Sequence, residues 1–253
     1  MKLILIDGHS LAYRAFLALP PDLATSRGEL TNAVYGFASM LLNVLRDQQP
    51  THMAVAFDVG RSFRQDRFPD YKATRERIPD ELQQQINRIQ ELVAAFNIPV
   101  FTAEGYEADD VLATLARQAA AHDVPTLIVT GDRDLLQVVN DRITVLTSGR
   151  RFSDTILYTP AAVKERYGLE PAQLVDYKAL VGDKSDNIPG VPGIGDKSAV
   201  QLLQRWGDLD TIYAHLDEVT PPRVREALAA YRDQAYLSRA LATIVDVPDL
   251  RLD

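Results

Sequence analysis

Apolar runs of strand length alternate with longer stretches of helical periodicity through the first 160 residues. KLILID is uninterrupted and apolar, which suits a parallel strand covered on both faces, and it ends on Asp7. LAYRAFLAL and TNAVYGFASMLLNVLRD follow with helical spacing, separated by a loop from Pro20 to Gly28. HMAVAFD predicts a second buried strand, ending on Asp58. ELQQQINRIQELVAAF predicts a helix, IPVFTA a short strand, and the run after EGYEADD another helix. TLIVT is a further strand, followed by GDRD, a short helix, the strand ITVLTS and a return strand through RFSDTILY. Alternation of this kind means an α/β fold with a mostly parallel central sheet flanked by helices.

From Pro160 the periodicity is helical only, through AAVKERYG, PAQLVDYKALVG, KSAVQLLQRW, DLDTIYAHL and PPRVREALAAYRDQAYLSRALATI. Residues 1–159 are therefore expected to form the α/β unit, and residues 160–253 a helical subdomain packed on it. Neither an internal repeat nor a low-complexity segment interrupts the two.

Acidic residues concentrate where the pattern places the ends of strands. Between Glu104 and Asp134, five carboxylates (Glu107, Asp109, Asp110, Asp132 and Asp134) sit at the two ends of one helix–strand unit. Glu107 and Asp110 are spaced i, i+3 in a first helical turn, where the macrodipole favours negative charge, so acidic capping is the plain reading of EADD. GDRD alone is equally a polar turn. Together with Asp7 and Asp58 at two other strand ends, they point to one pocket above a sheet edge, where open α/β sheets bind ligands. Carboxylates that converge raise one another's pKa unless cations neutralise them. An oxygen-only set specifies a hard cation, Mg²⁺ rather than zinc.

There is no cysteine, and His9, His52, His122 and His215 are scattered, so thiolate chemistry is excluded and no zinc set stands out. MKLILIDGHS is too short in its apolar part for a signal peptide, and no apolar run approaches membrane length, so a cytoplasmic protein is expected. The net charge of −8 bears on nucleic acid only through its distribution, because the nine candidate metal carboxylates alone account for −9. Between Arg61 and Arg77, Arg61, Arg64, Arg67, Lys72, Arg75 and Arg77 outnumber Asp66, Asp70 and Glu76. A solvated linker is the ordinary reading of such a run. Interleaved Phe63, Phe68 and Tyr71, close after the Asp58 strand end, suit instead a phosphate backbone with stacked bases. In GDKSDNIPGVPGIGDKSAVQLL (182–203), Asp183 and Asp186 are again i, i+3, and PGVPGIG before a helix has the form of a helix–hairpin–helix. Its glycines allow close backbone approach, and the N–H groups opening the next helix suit a phosphate.

DGHSLAYRAF, TSRGELTNAVYGF, FPDYKATR, EGYEADDVLATLA, TGDRDLLQ and GDKSDNIPGVPGIGDKSA resemble, in order from residue 3 to about 245, the 5′-nuclease domains of bacterial DNA polymerases I within the flap endonuclease superfamily. The resemblance implies a PIN-like 5′-nuclease core with an arch over 61–80 and a helix-three-turn-helix over 182–203. It implies two Mg²⁺ ions, with Mn²⁺ as a substitute, about 4 Å apart. Asp7, Asp58, Glu107, Asp109 and Asp110 match the carboxylates around the first, and Asp132, Asp134, Asp183 and Asp186 those around the second. Tyr71, Lys72 and Arg75 match the base of the arch, with Lys72 and Arg75 as catalytic cations beside Asp109 and Asp134, and Arg14 a basic position facing the scissile region. Lys184, Gly193, Gly195, Lys197 and Ser198 match a grip on duplex DNA, and the carbonyls of Leu180, Val181, Pro189, Val191 and Ile194 a K⁺ site. The implied partner is DNA with a 5′ flap or 5′ end, with RNA in a hybrid left open, bound by a monomer. Nothing resembling a polymerase domain follows, so the chain reads either as a stand-alone enzyme or as a fragment of a longer one. Two other readings compete: a branched-DNA-binding module without catalysis, which nine intact carboxylates oppose, and a Mg²⁺-dependent phosphatase, which the hairpin and basic segment oppose.

Overall fold

The computed structural model describes residues 1–148 and 155–252. Six strands form one sheet in the order β3-β2-β1-β4-β5-β6: β1 (Leu3–Asp7), β2 (His52–Ala56), β3 (Val100–Phe101), β4 (Thr126–Val129), β5 (Ile143–Ser148) and β6 (Thr155–Tyr158). All neighbours are parallel except β5 and β6. The return strand thus begins at Thr155, and RFSD lies outside the described residues.

The strand pleat divides the core into two. Leu3 and Leu5 of β1 with Ile128 of β4 feed one buried cluster, while Ile4 and Ile6 with Leu127 and Val129 feed the other. Helices α1 (Gly8–Ala18), α2 (Asn32–Gln48) and α4 (Asp80–Ala95) cover the second cluster, and α3 (Phe63–Arg67) is a single short piece between them in sequence. Helix α5 (Ala108–Ala121) covers the first cluster, and the helical part packs on that same side. That part comprises α6 (Pro160–Tyr167), α7 (Leu174–Val181), α8 (Asp196–Trp206), α9 (Leu209–Ala214), α10 (Pro222–Ala230) and α11 (Arg232–Ala242). Among the described residues no helix is long and apolar enough to cross a membrane.

Because β1 has β2 on one side and β4 on the other, the chain order reverses at β1, and a crevice opens above its carboxyl end. Gly8 lets α1 start there: a Cβ on it would lie 2.3 Å from the Phe57 ring. A segment after α11 straps the helical part to α5. Val245 N–H donates to Asp110, Val247 N–H to Thr114 and Leu252 N–H to Gln118, one docking point per helical turn.

Candidate active site

The crevice holds an open cavity of about 650 Å³, with Asp7, Asp58, Glu107, Asp109 and Asp132 on its wall and Lys72, Arg75 and Lys184 around it. Each carboxylate is placed by local structure. Asp7 caps α1, accepting from Ser10 N–H at 3.0 Å and from the Thr130 hydroxyl at 2.7 Å. Asp58 accepts the Ala108 N–H that opens α5 (2.7 Å), and its own N–H donates to His9 Nδ1 (3.1 Å), which fixes the His9 proton on Nε2. Asp132 accepts from Asp134 N–H at 2.9 Å and donates its N–H to Thr130.

Three of the carboxyls hold protons more tightly than usual. Burial pushes Asp7 up to about 7, with repulsion from Asp58 and Asp132 adding to it against the bonds from Ser10 and Thr130. Burial also raises Asp109 well above the carboxylate range, reinforced by Asp132 and Asp7. Asp134 rises to about 7 through burial and Asp132, although Lys178 opposes this. Such a set is short of positive charge.

Glu107, Asp134, Asp183 and Asp186 are held by the chain's own cations. Lys72 Nζ is 2.9 Å from Glu107 and 3.9 Å from Asp186. Arg75 bonds Asp186, and Lys178 bonds both Asp134 and, at 2.6 Å, Asp183. Burial would raise Asp183, yet Lys178 and the Ser185 bonds hold it down to about 2. Sequence reasoning missed Lys178, whose only signal is a lone basic residue in the last turn of α7. Among the described residues no three His, Asp or Glu side chains are arranged to hold a metal ion as they stand. Asp183 and Asp186 do not line the cavity, nor does Asp134.

Four expectations are corrected by the geometry. Asp110 is wholly buried behind the pocket: both its oxygens pair with Arg64 (2.7 and 2.8 Å), and it also accepts from the N–H groups of Glu107 and Val245. No lone pair is left for a metal, and its role is the capping and anchoring of α5. Arg64, 2% exposed, is consumed by the same pair and by the carbonyls of Leu241 and Thr243, so it faces no phosphate. Tyr71 is 3% exposed and its hydroxyl lies within 3.3 Å of Glu107 and Asp186, so its ring offers no face to a base. Phe68 packs beside it, and Phe63 packs against Tyr106 and Arg64. Finally, residues 61–80 form no helical arch: beyond α3, residues 69–74 run in turns docked on the hairpin, and α4 opens at Asp80. Lys72, held at φ 57°, donates its N–H to the Asp186 carbonyl, and Asn187 donates to the Asp70 carbonyl.

Arg14 is half-buried on α1 away from the cavity wall. The hairpin links α7 to α8, and Gly190 sits at φ 64° where a Cβ would be 2.3 Å from Gly182 N, so only glycine fits. Gly193, Gly195 and Lys197 are exposed, and Ser198 partly so, at the α8 N-terminus. The Leu180 and Val191 carbonyls already accept the N–H groups of Val191 and Ile194. Each retains a second lone pair.

Two family models match the chain end to end: the 5′-3′ exonuclease N-terminal resolvase-like domain over residues 2–168 and the 5′-3′ exonuclease C-terminal SAM fold over 169–253. The chain belongs to the 5′-3′ exonuclease family. Curated relatives include DNA polymerase I of Bacillus caldotenax, 48% identical over 100% of this chain, and DNA polymerase I of Chloroflexus aurantiacus, 52% identical over 97%. The chain spans 29% and 26% of their respective lengths. Among solved structures, the bacteriophage T5 D15 flap endonuclease, in a complex with DNA and metal ions, aligns with a TM-score of 0.77 at 22% identity, covering 96% of this chain and 89% of that one. The catalytic core of Rad2 with DNA substrate aligns at 0.63 and 17% identity, covering 100% and 80%. This 5′-3′ exonuclease family fold is thus shared across distant sequences.

Proposed function

We propose that this chain is a structure-specific 5′ nuclease, a 5′-3′ exonuclease and flap endonuclease, that hydrolyses DNA phosphodiester bonds in replication and repair. The observation that carries the reading is the gathering of Asp7, Asp58, Glu107, Asp109 and Asp132 in one open cavity with Lys72, Arg75 and Lys184 around it. A binding module gains nothing from carboxylates that repel phosphates. A small phosphate ester needs no exposed hairpin beside its site.

The donor set fits a hard divalent cation, Mg²⁺ or Mn²⁺: it is oxygen-only, and its protonation-prone acids lack compensating charge. Asp7, Asp58, Glu107, Asp109 and Asp132 would hold one cation, and Asp134, Asp183 and Asp186, with Asp132 or Asp109 near both, a second. When bound, such ions activate water and stabilise the leaving oxygen. Lys72 and Arg75 balance charge that grows on the phosphoryl oxygens, from positions fixed by the hairpin carbonyls. Gly193, Gly195 and Ser198 present backbone at the α8 N-terminus to a duplex phosphate, and Lys184 and Lys197 add charge along its path. The proposal includes K⁺ on the hairpin carbonyls of Val181, Pro189 and Ile194, with those of Leu180 and Val191 sharing their second lone pairs. Base sequence is not read, since phosphate contacts position without specifying. We read the protein as a cytoplasmic monomer.

The test compares a 5′-labelled flap duplex with an unstructured single strand of the same sequence. Cleavage near the flap junction, with the single strand spared, is the expected result. Equal cutting of both would leave a nuclease without structure selectivity.

A further inference from the structure

Lys178 lies off the cavity wall, on the last turn of α7, and its ammonium bridges carboxylates from two parts of the molecule. Asp134 opens the 3-10 turn after β4, and Asp183 follows α7 at the start of the hairpin. All three side chains are less than one-fifth exposed. Two acids this close to one point repel unless a cation lies between them. The chain supplies that cation itself.

We propose that Lys178 is a resident counter-cation, holding the place between Asp134 and Asp183 that a divalent ion takes by displacing it. This rests on the metal-dependent reading above. A lysine suits the part better than an arginine, because its point charge rides on a flexible four-carbon stem, whereas a guanidinium fork would grip both carboxylates. Until the ion arrives, the bridge ties α7 and the hairpin to the turn after β4. It also makes the site selective by valence. A monovalent ion exchanged for the ammonium replaces like with like, while a divalent ion adds a charge.

Calorimetric titration with Mn²⁺ alone tests this on the intact chain, beside melting in chelator. Lys178→Met should bind one Mn²⁺, the ion between Asp134 and Asp183, about tenfold more tightly than wild type, and melt about 5 °C lower without metal. Lys178→Arg should melt like wild type in chelator but bind Mn²⁺ more weakly, which keeps a result in hand if the methionine variant does not fold. Equal Mn²⁺ affinity in wild type and either folded variant, or weaker binding by Lys178→Met, would overturn the proposal. Absence of Mn²⁺ binding in the wild type as well would instead overturn the metal reading on which it stands.

Discussion

The two groups of acids are built from the same residue types and differ in what neutralises them. Asp7, Asp58 and Asp132 are met on the cavity wall by backbone N–H groups and the Thr130 hydroxyl. Asp134, Asp183 and Asp186 are gripped by Lys178, Lys72 and Arg75. The outcome is visible in proton affinity: Asp7 is pushed up to about 7, whereas Asp183 is held down to about 2. Asp134 stands between, still about 7 despite Lys178, because burial and Asp132 outweigh one ammonium. A count of carboxylates therefore says little about a site. What compensates each one decides whether it is free to take a metal, already satisfied, or structural like Asp110.

The largest effect expected from this contrast is kinetic. Asp109→Asn should cut flap cleavage about a thousandfold while leaving folding and DNA binding intact, measured by single-turnover rates. A rate near wild type would remove Asp109 from the site. Its sequence neighbour should behave in the opposite way. Asp110→Ala strands the buried Arg64 charge and should cost about 3–5 kcal/mol in denaturant unfolding. Its Mn²⁺ affinity should match wild type, since Asp110 faces no metal. Loss of metal binding without loss of stability would reverse the two assignments.

A smaller effect concerns pH in the metal-free protein. Asp7 binds its proton up to about pH 7 when folded but only to about 4 when unfolded, so the native state carries more protons between those values. Its contribution to stability is then full below pH ~4 and is lost as pH rises through about 7. Asp7→Asn should flatten that part of the profile in chelator, on the order of 4 kcal/mol. An unchanged profile would mean that other groups carry it. Metal should invert the trend, because deprotonated ligands bind it better. The smallest effect is at the hairpin: Lys197→Ala should lower the salt slope of duplex affinity by about one ion. A constant slope would count against Lys197 as a phosphate contact.

Much of this arrangement was legible because apolar runs end on acids. Asp7, Asp58 and Asp132 follow strands, and a parallel sheet brings their carboxyl ends to one edge. The hairpin string was legible through its glycines. Side-chain direction was not. Neighbouring residues on a helix point about 100° apart, so DD in EADD cannot say which acid faces the pocket. A signal did exist: Asp110, Thr114 and Gln118 are polar at i, i+4, i+8, the stripe on which the strap docks, whereas Asp109 lies off that stripe on a helix whose only other polar residue is Arg117. Arg64 and Tyr71 read as exposed because their segment is polar overall. Their partners stand 46 and 115 residues away, at Asp110 and Asp186. Lys178 was hidden likewise, with one partner five residues on and the other 44 back.

The most direct measurement is single-turnover cleavage of a 5′-labelled flap duplex across a Mg²⁺ titration, with a chelator control. No product in chelator and a rate that saturates with Mg²⁺ is the predicted result. A rate in chelator equal to that in Mg²⁺ would contradict the carboxylate pocket as a metal-dependent nuclease site.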